Sequence, residues 1–138
     1  MFVQHEDEWL LAGSQAWELV RELDARVDAD IFVGKRHGSA FHATPLEATL
    51  HRLGVYEVVL CGLQTEFCVD STLRHAVALN FEVSLAGDAH STYDSGTLTA
   101  PQIIEHHNRT LANYARVLPA DAIAFASDAP NSIEQRPS

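Results

Sequence analysis

An α/β domain built on a parallel sheet is what this sequence predicts, and three observations lead there. Short apolar runs rich in β-branched residues alternate with stretches of helical periodicity almost from end to end. Polar or glycine-bearing turns bound those runs, as they bound buried strands. A length of 138 residues, 46% of them hydrophobic, suffices for one compact domain that buries roughly two thirds of its unfolded-chain surface.

Taken in order, "MFVQH" at the N-terminus reads as a weak strand, and "SQAWELVRELD" (14–24) as a helix with Trp17, Leu19, Val20 and Leu23 along one flank. "DIFVG" (30–34) is a stronger strand. In "TPLEATLHRLG" (44–54), Thr44 is a natural N-cap, Pro45 suits the first helical position, Glu47 completes a capping box and Gly54 fits the left-handed C-terminal position. "EVVLCGL" (57–63) and "FEVSLAG" (81–87) are strands on either side of "CVDSTLRHAVALN" (68–80), where Val69, Leu73, Ala76 and Val77 recur at helical spacing. "APQIIEHHNRTLANYARVL" (100–118) reads as one long amphipathic helix and "AIAFA" (122–126) as a weak last strand. The domain therefore spans 1–126, and the polar, proline-bearing "SDAPNSIEQRPS" (127–138) is a loose tail.

Charge and composition exclude several function classes. Nineteen acidic against nine basic residues give a formal charge of −10, which opposes phosphate backbones and anionic membranes. No apolar run approaches the ~18 residues of a membrane span, and the N-terminus lacks the layout of a signal peptide, so a cytoplasmic protein is expected. The two cysteines, Cys61 and Cys68, have neither CxxC spacing nor a disulfide framework, which fits a reducing compartment. GxGxxG and GxxxxGK[ST] motifs are absent, which argues against a nucleotide cofactor.

In "GLQTEFCVD" (62–70) a strand, a turn and a helix start follow one another, so Cys68 falls where open α/β sheets bind ligands. Unpaired amides and the helix dipole there favour a thiolate and can hold the oxygen of a tetrahedral intermediate. The competing reading is a buried thiol that merely packs, and Cys61, inside its strand, is expected to be of that kind. Lys35 ends another strand, which a parallel sheet brings to the same edge as Cys68. An ammonium beside a thiol stabilises the thiolate, whereas an isolated lysine usually just points to water.

The blocks "KRHGSAF.AT.L", "VVLCGLQTEFCVDSTLRHA", "AGDAHSTYD" and "IIEHHNRTLA" together resemble the isochorismatase-like cysteine hydrolases, from about Met1 to Leu118. The resemblance implies a Rossmann-like three-layer sandwich, Cys68 as nucleophile with Lys35 beside it, a cis peptide between Leu63 and Gln64, and an oxyanion site at the backbone amides of Gln64 and Cys68. It also implies a small-molecule substrate with an amide, imide or ureido C–N bond, no cofactor, and assembly into dimers or larger rings. The family's third catalytic residue is an aspartate ending a first strand that would precede "FVQHE", and no such segment is present in the sequence. In the strand order 3-2-1-4-5-6 that strand is central. Its absence leaves three expectations: "MFVQH" pairs directly with "EVVLCGL", another chain fills the gap, or the sequence is a fragment or has a misassigned start. Exposed edges of this kind favour assembly.

Substitute acids are not obvious. Asp70 is accounted for by the helix dipole, and Glu6 and Asp7 follow a strand without aligning with the family's aspartate. A metal-free site is expected, because the region after "FVQH" lacks the Asp-x-His pattern of nicotinamidases. "DAH" (88–90) follows a different strand, and His106 and His107 read as helix packing and surface. Trp9, Phe41 and Tyr93 flank loops at the rim and are expected either to cover an apolar part of the substrate or to act as ordinary hydrophobic cover. The alternatives to an amidohydrolase are a catalytically silent member acting as a binding or assembly module, and a redox-sensing thiol.

Overall fold

The computed structural model describes residues 1–24 and 30–125; the tail 127–138 and Ala126 lie outside the described residues. Among the described residues five parallel strands form two separate sheets rather than the one sheet expected. In the first, β1 (Phe2–His5) pairs with β2 (Phe32–Lys35) in a register that sets Val3 opposite Val33 and His5 opposite Lys35. In the second, β3 (Glu57–Leu63), β4 (Glu82–Ser91) and β5 (Arg116–Leu118) lie in that order, with an irregularity between Leu60 and Gly62. Between the strands run α1 (Arg21–Asp24), α2 (Leu46–Arg52), a π-helical turn (Thr65–Val69) leading straight into α3 (Asp70–Ala78), and α4 (Ala100–Leu111).

The core is where flanking layers meet β4. Val83, Ser84, Leu85 and Ala86 are all buried, and Leu85 joins Leu73 of α3 and Leu111 of α4 as fully enclosed side chains. Each such leucine contributes roughly 1.5–3 kcal/mol by leaving water. By contrast β3 is half-buried or exposed along its whole length and β1 is half-buried. Among the described residues each pairs on one side only, and "MFVQH" does not pair with "EVVLCGL". Cys61 is accordingly exposed, which corrects the expectation of a packed thiol: its strand forms, but among the described residues one flank carries no neighbouring strand.

Other local expectations meet the structure unevenly. α2 starts at Leu46 with Pro45, not Thr44, at its N-cap and no side-chain cap, although Thr44 Oγ1 accepts from Leu46 N–H at 3.3 Å; no hydrogen bond from Glu47 closes a capping box, while Gly54 adopts φ +69° as expected. The helix expected over 14–24 shrinks to the single turn of α1. Trp17 and Leu19 are half-buried while Val20 and Leu23 stay exposed, so among the described residues the apolar flank is only partly covered, which is too little to sustain a longer helix. "RVL", expected as the end of α4, is instead β5, because Arg116, Val117 and Leu118 find partners in Ser84, Leu85 and Ala86. Arg116 also ion-pairs with Glu57, spanning β4. "AIAFA" is not a strand within its described part: Ala122 ends a 3-10 turn (Ala120–Ala122) pinned by Asp88 Oδ1, which accepts from Ala120 N–H, and Phe125 is exposed.

Candidate active site

The turn that carries Cys68 is fixed from behind. Thr65, its first residue, is fully buried, and its hydroxyl meets His90 Nδ1 at 2.8 Å. His90 Nε2 in turn meets Asn108 Oδ1 at 2.8 Å, while Asn108 Nδ2 donates to Gly87 O. The Asn108 amide orientation leaves its oxygen as acceptor, so His90 carries its proton on Nε2 and accepts from Thr65 at Nδ1. Beside it Glu66 Oε1 accepts from Thr92 Oγ1 at 2.8 Å. The turn is thereby tied to β4, to the residue following it and to α4. The Leu63–Gln64 peptide ahead of it is cis, as the resemblance implies.

Lys35 ends β2, so the parallel register carries it to the same edge of the molecule as the carboxyl end of β3. It is buried, and Nζ donates to His37 O at 2.8 Å, Gly38 O at 3.1 Å and Cys68 Sγ at 3.1 Å. His5 Nδ1 lies 3.4 Å away on the other side. Among the described residues no carboxylate lies within ion-pair distance of this ammonium.

Lys35 and Cys68 open onto a cleft of about 410 Å³ between the two sheets, whose walls include Val3 of β1, Phe41, and Val58, Cys61 and Leu63 of β3. The lining is mainly apolar, with the Lys35 ammonium, the half-buried Cys68 sulfur and the exposed Cys61 thiol as its reactive side chains, and of the two sulfurs the Cys68 one is in contact with the ammonium. Such a cleft is the size of a small-molecule site. Of the three aromatic residues expected at the rim, Phe41 is in the wall. Trp9 and Tyr93 are not, being 85% and 71% exposed. Trp9 is turned outward because its own N–H and that of Leu10 bind Asp7 Oδ1, and Tyr93 lies past the end of β4.

Residues 1–117 match the isochorismatase domain. The chain belongs to the isochorismatase family. Nicotinamidase 3 of Arabidopsis thaliana is 33% identical over 107 residues, covering 77% of this chain and 50% of the relative. Ureidoacrylate amidohydrolase RutB of Methylobacterium radiotolerans is 36% identical over 104 residues, 75% of this chain and 37% of the relative. The chain spans about half the length of the curated relatives it matches first. A crystal structure of an isochorismatase family protein superposes with a TM-score of 0.81 at 40% identity, covering 85% of this chain and 70% of that one. An isochorismatase structure from Pseudomonas putida gives 0.81 at 26% identity, with 88% and 66% covered.

Within this isochorismatase-family chain the remaining candidates fall elsewhere. Asp70 forms an i,i+4 ion pair with Arg74 at 3.0 Å and is engaged away from the sulfur. Among the described residues no group of three or more His, Cys, Asp or Glu is arranged to hold a metal ion. Asp88 caps the 3-10 turn, His90 belongs to the Thr65 network, and His107 contacts Ile103 O in its own helix. In the sequence His5 reads as the end of a strand, in a region that lacks the Asp-x-His metal pattern. Its contact with Lys35 follows from the strand register, for which single-sequence patterning carries no signal.

Proposed function

We propose that the chain is a cysteine-dependent hydrolase acting on a C–N bond of a small molecule, of amide, imide or ureido type. The observation that carries this reading is the 3.1 Å contact between a buried ammonium and a half-buried sulfur at an apolar cleft. Cys68 Sγ attacks the carbonyl carbon, with Lys35 supplying the counter-charge to the sulfur. The backbone amides of Gln64 and Cys68 receive the oxyanion, an interaction of roughly 2.7–4 kcal/mol per donor in other enzymes. Collapse expels the amine, and water then cleaves the thioester. Relatives named nicotinamidase and ureidoacrylate amidohydrolase support the amide or ureido class.

The facing edges of β1 and β3 support a second element of the reading, that a further strand seats in the cleft, supplied by additional chain or by a second copy, and brings the carboxylate that the resemblance calls for. The same edges favour one alternative, a silent member that serves in assembly. Hydrolysis of a panel of primary amides, N-carbamoyl compounds and cyclic imides, with Cys68→Ala in parallel, tests the choice. Turnover of one class that Cys68→Ala lacks supports the hydrolase; equal, background rates for both proteins remove it for this chain.

A further inference from the structure

We infer that Asp7 and His5 form a proton relay joining the Lys35–Cys68 pair to solvent, so that the protons of catalysis leave and re-enter the cleft along the end of β1. The inference rests on the reading of Cys68 as nucleophile. Its starting point is a surplus of acceptors. Lys35 Nζ has three protons to donate, yet four acceptors surround it: two carbonyls, the Cys68 sulfur and His5 Nδ1. Of these only the imidazole is a nitrogen base that is not itself the nucleophile.

The other face of that imidazole is prepared for the positive charge. His5 Nε2 lies 3.3 Å from Asp7 Oδ2, which sets the tautomer with the proton toward Asp7 and the Nδ1 lone pair toward Lys35. Asp7 is itself anchored: its Oδ1 accepts from Leu10 N–H at 2.7 Å and Trp9 N–H at 2.8 Å. Those two bonds hold its carboxyl below the ordinary 3.8, so it remains an anion. A carboxylate behind an imidazole, aimed at the group that handles the nucleophile's proton, follows the logic of hydrolase triads with a lysine interposed. Side-chain exposure is 32% at His5 and 43% at Asp7, whereas Lys35 is only 6% exposed, so the path runs from interior to water. Strand register builds it: His5 sits opposite Lys35, and Glu6 N–H donates to Lys35 O at 2.8 Å, which locks the two strand ends together.

The proton balance closes without another reactant. The sulfur acts as the thiolate to which the Lys35 ammonium donates, so the Sγ–C bond forms and the carbonyl electrons move to oxygen with no proton to remove. As the carbonyl re-forms and the C–N bond breaks, Lys35 gives a proton to the departing nitrogen and regains one from solvent through His5. In the second half, the attacking water gives its proton to solvent by the same path in reverse. The S–C bond breaks, and the thiolate returns to its contact with Lys35. The sum is amide plus water giving acid plus amine.

The test uses p-nitrophenyl acetate on the full chain, because its leaving group departs without a proton and steady turnover then reports the water step. His5→Asn keeps an acceptor oxygen near the place of Nδ1 but cannot carry a proton. The expected result is a retained burst, a steady rate lowered roughly 100-fold with KM falling in proportion so that kcat/KM is unchanged, acetylated Cys68 accumulating by intact mass, and partial recovery with added imidazole. His5→Gln, carried alongside with thermal melting of both variants, guards against a folding defect. Wild-type turnover in a folded His5→Asn, or loss of the burst without rescue by imidazole, overturns the relay while leaving the nucleophile in place. A burst that persists in Cys68→Ala, or no burst in the wild type, overturns the hydrolase reading and the relay together.

Discussion

Lys35 Nζ and Cys68 Sγ touch at 3.1 Å although β2 and β3 belong to different sheets. This contact joins the two halves of the molecule at the place where chemistry is expected. A buried ammonium without a carboxylate partner among the described residues is costly to the fold, since desolvating a charge exceeds what neutral acceptors return. Lys35→Met is therefore expected to separate function from stability. Alkylation of Cys68 by iodoacetamide, followed in a Cys61→Ser background because Cys61 is also exposed, should slow by at least about tenfold. The melting temperature should hold or rise. A fall in both would make Lys35 a structural residue.

The Thr65–His90–Asn108 chain supports the second prediction. Thr65→Val removes the hydroxyl and leaves His90 Nδ1 buried without a donor, at a cost of about 1–3 kcal/mol in chemical denaturation. Thr65→Ser should recover most of it. Because Thr65 opens the same turn as Cys68, the valine variant should also lower the Cys68 alkylation rate, whereas a loss of equal size in the core should not.

The α/β class with parallel strands and four of the five described strands were legible in sequence because each depends on local pattern, while the Lys35–Cys68 encounter was legible through strand ends that share an edge together with the family resemblance. Runs such as "EVVLCGL" carry strand periodicity, and parallel topology sends every strand end to one edge. What was not legible depends on tertiary partners. "RVL" becomes β5 because β4 offers an edge, and the stripe from Trp17 to Leu23 is only half covered, Val20 and Leu23 staying exposed, so it does not extend as a helix. Trp9 is turned out by Asp7, an interaction of two backbone amides that no apolar count anticipates. The contact of His5 with Lys35 needs a register, and register is a property of two strands at once.

Asp7 gives the third prediction. Its carboxyl is held below 3.8, first by the Trp9 and Leu10 amides and also by His5. A depressed carboxylate contributes stability above its unfolded value and loses it as pH falls through the lower folded value. The 7–10 turn should therefore stay closed through mildly acidic solution and open only below the ordinary carboxylate range. A carboxyl carbon NMR titration of Asp7 should give a midpoint below 3.8 that moves back toward it in His5→Asn. A midpoint at or above 3.8 in the wild type would contradict the anchored turn.

The open flanks of β1 and β3 lead to the last prediction. Met1 and Val3 face Val58, Val59, Leu60 and Cys61 across the cleft, and among the described residues neither strand has a partner there. Unpaired N–H and C=O groups beside apolar side chains recruit other strands, and a charge placed at such an edge opposes pairing. The wild-type chain should thus sediment as more than a monomer, increasingly so as concentration rises. Cys61→Lys sets an ammonium on the exposed stretch of β3 and should shift the population toward monomer, while Cys61→Ser should not. A monomeric wild type at high concentration would mean that the edges are covered within one chain, and a Cys61→Lys protein that still assembles would move the interface elsewhere.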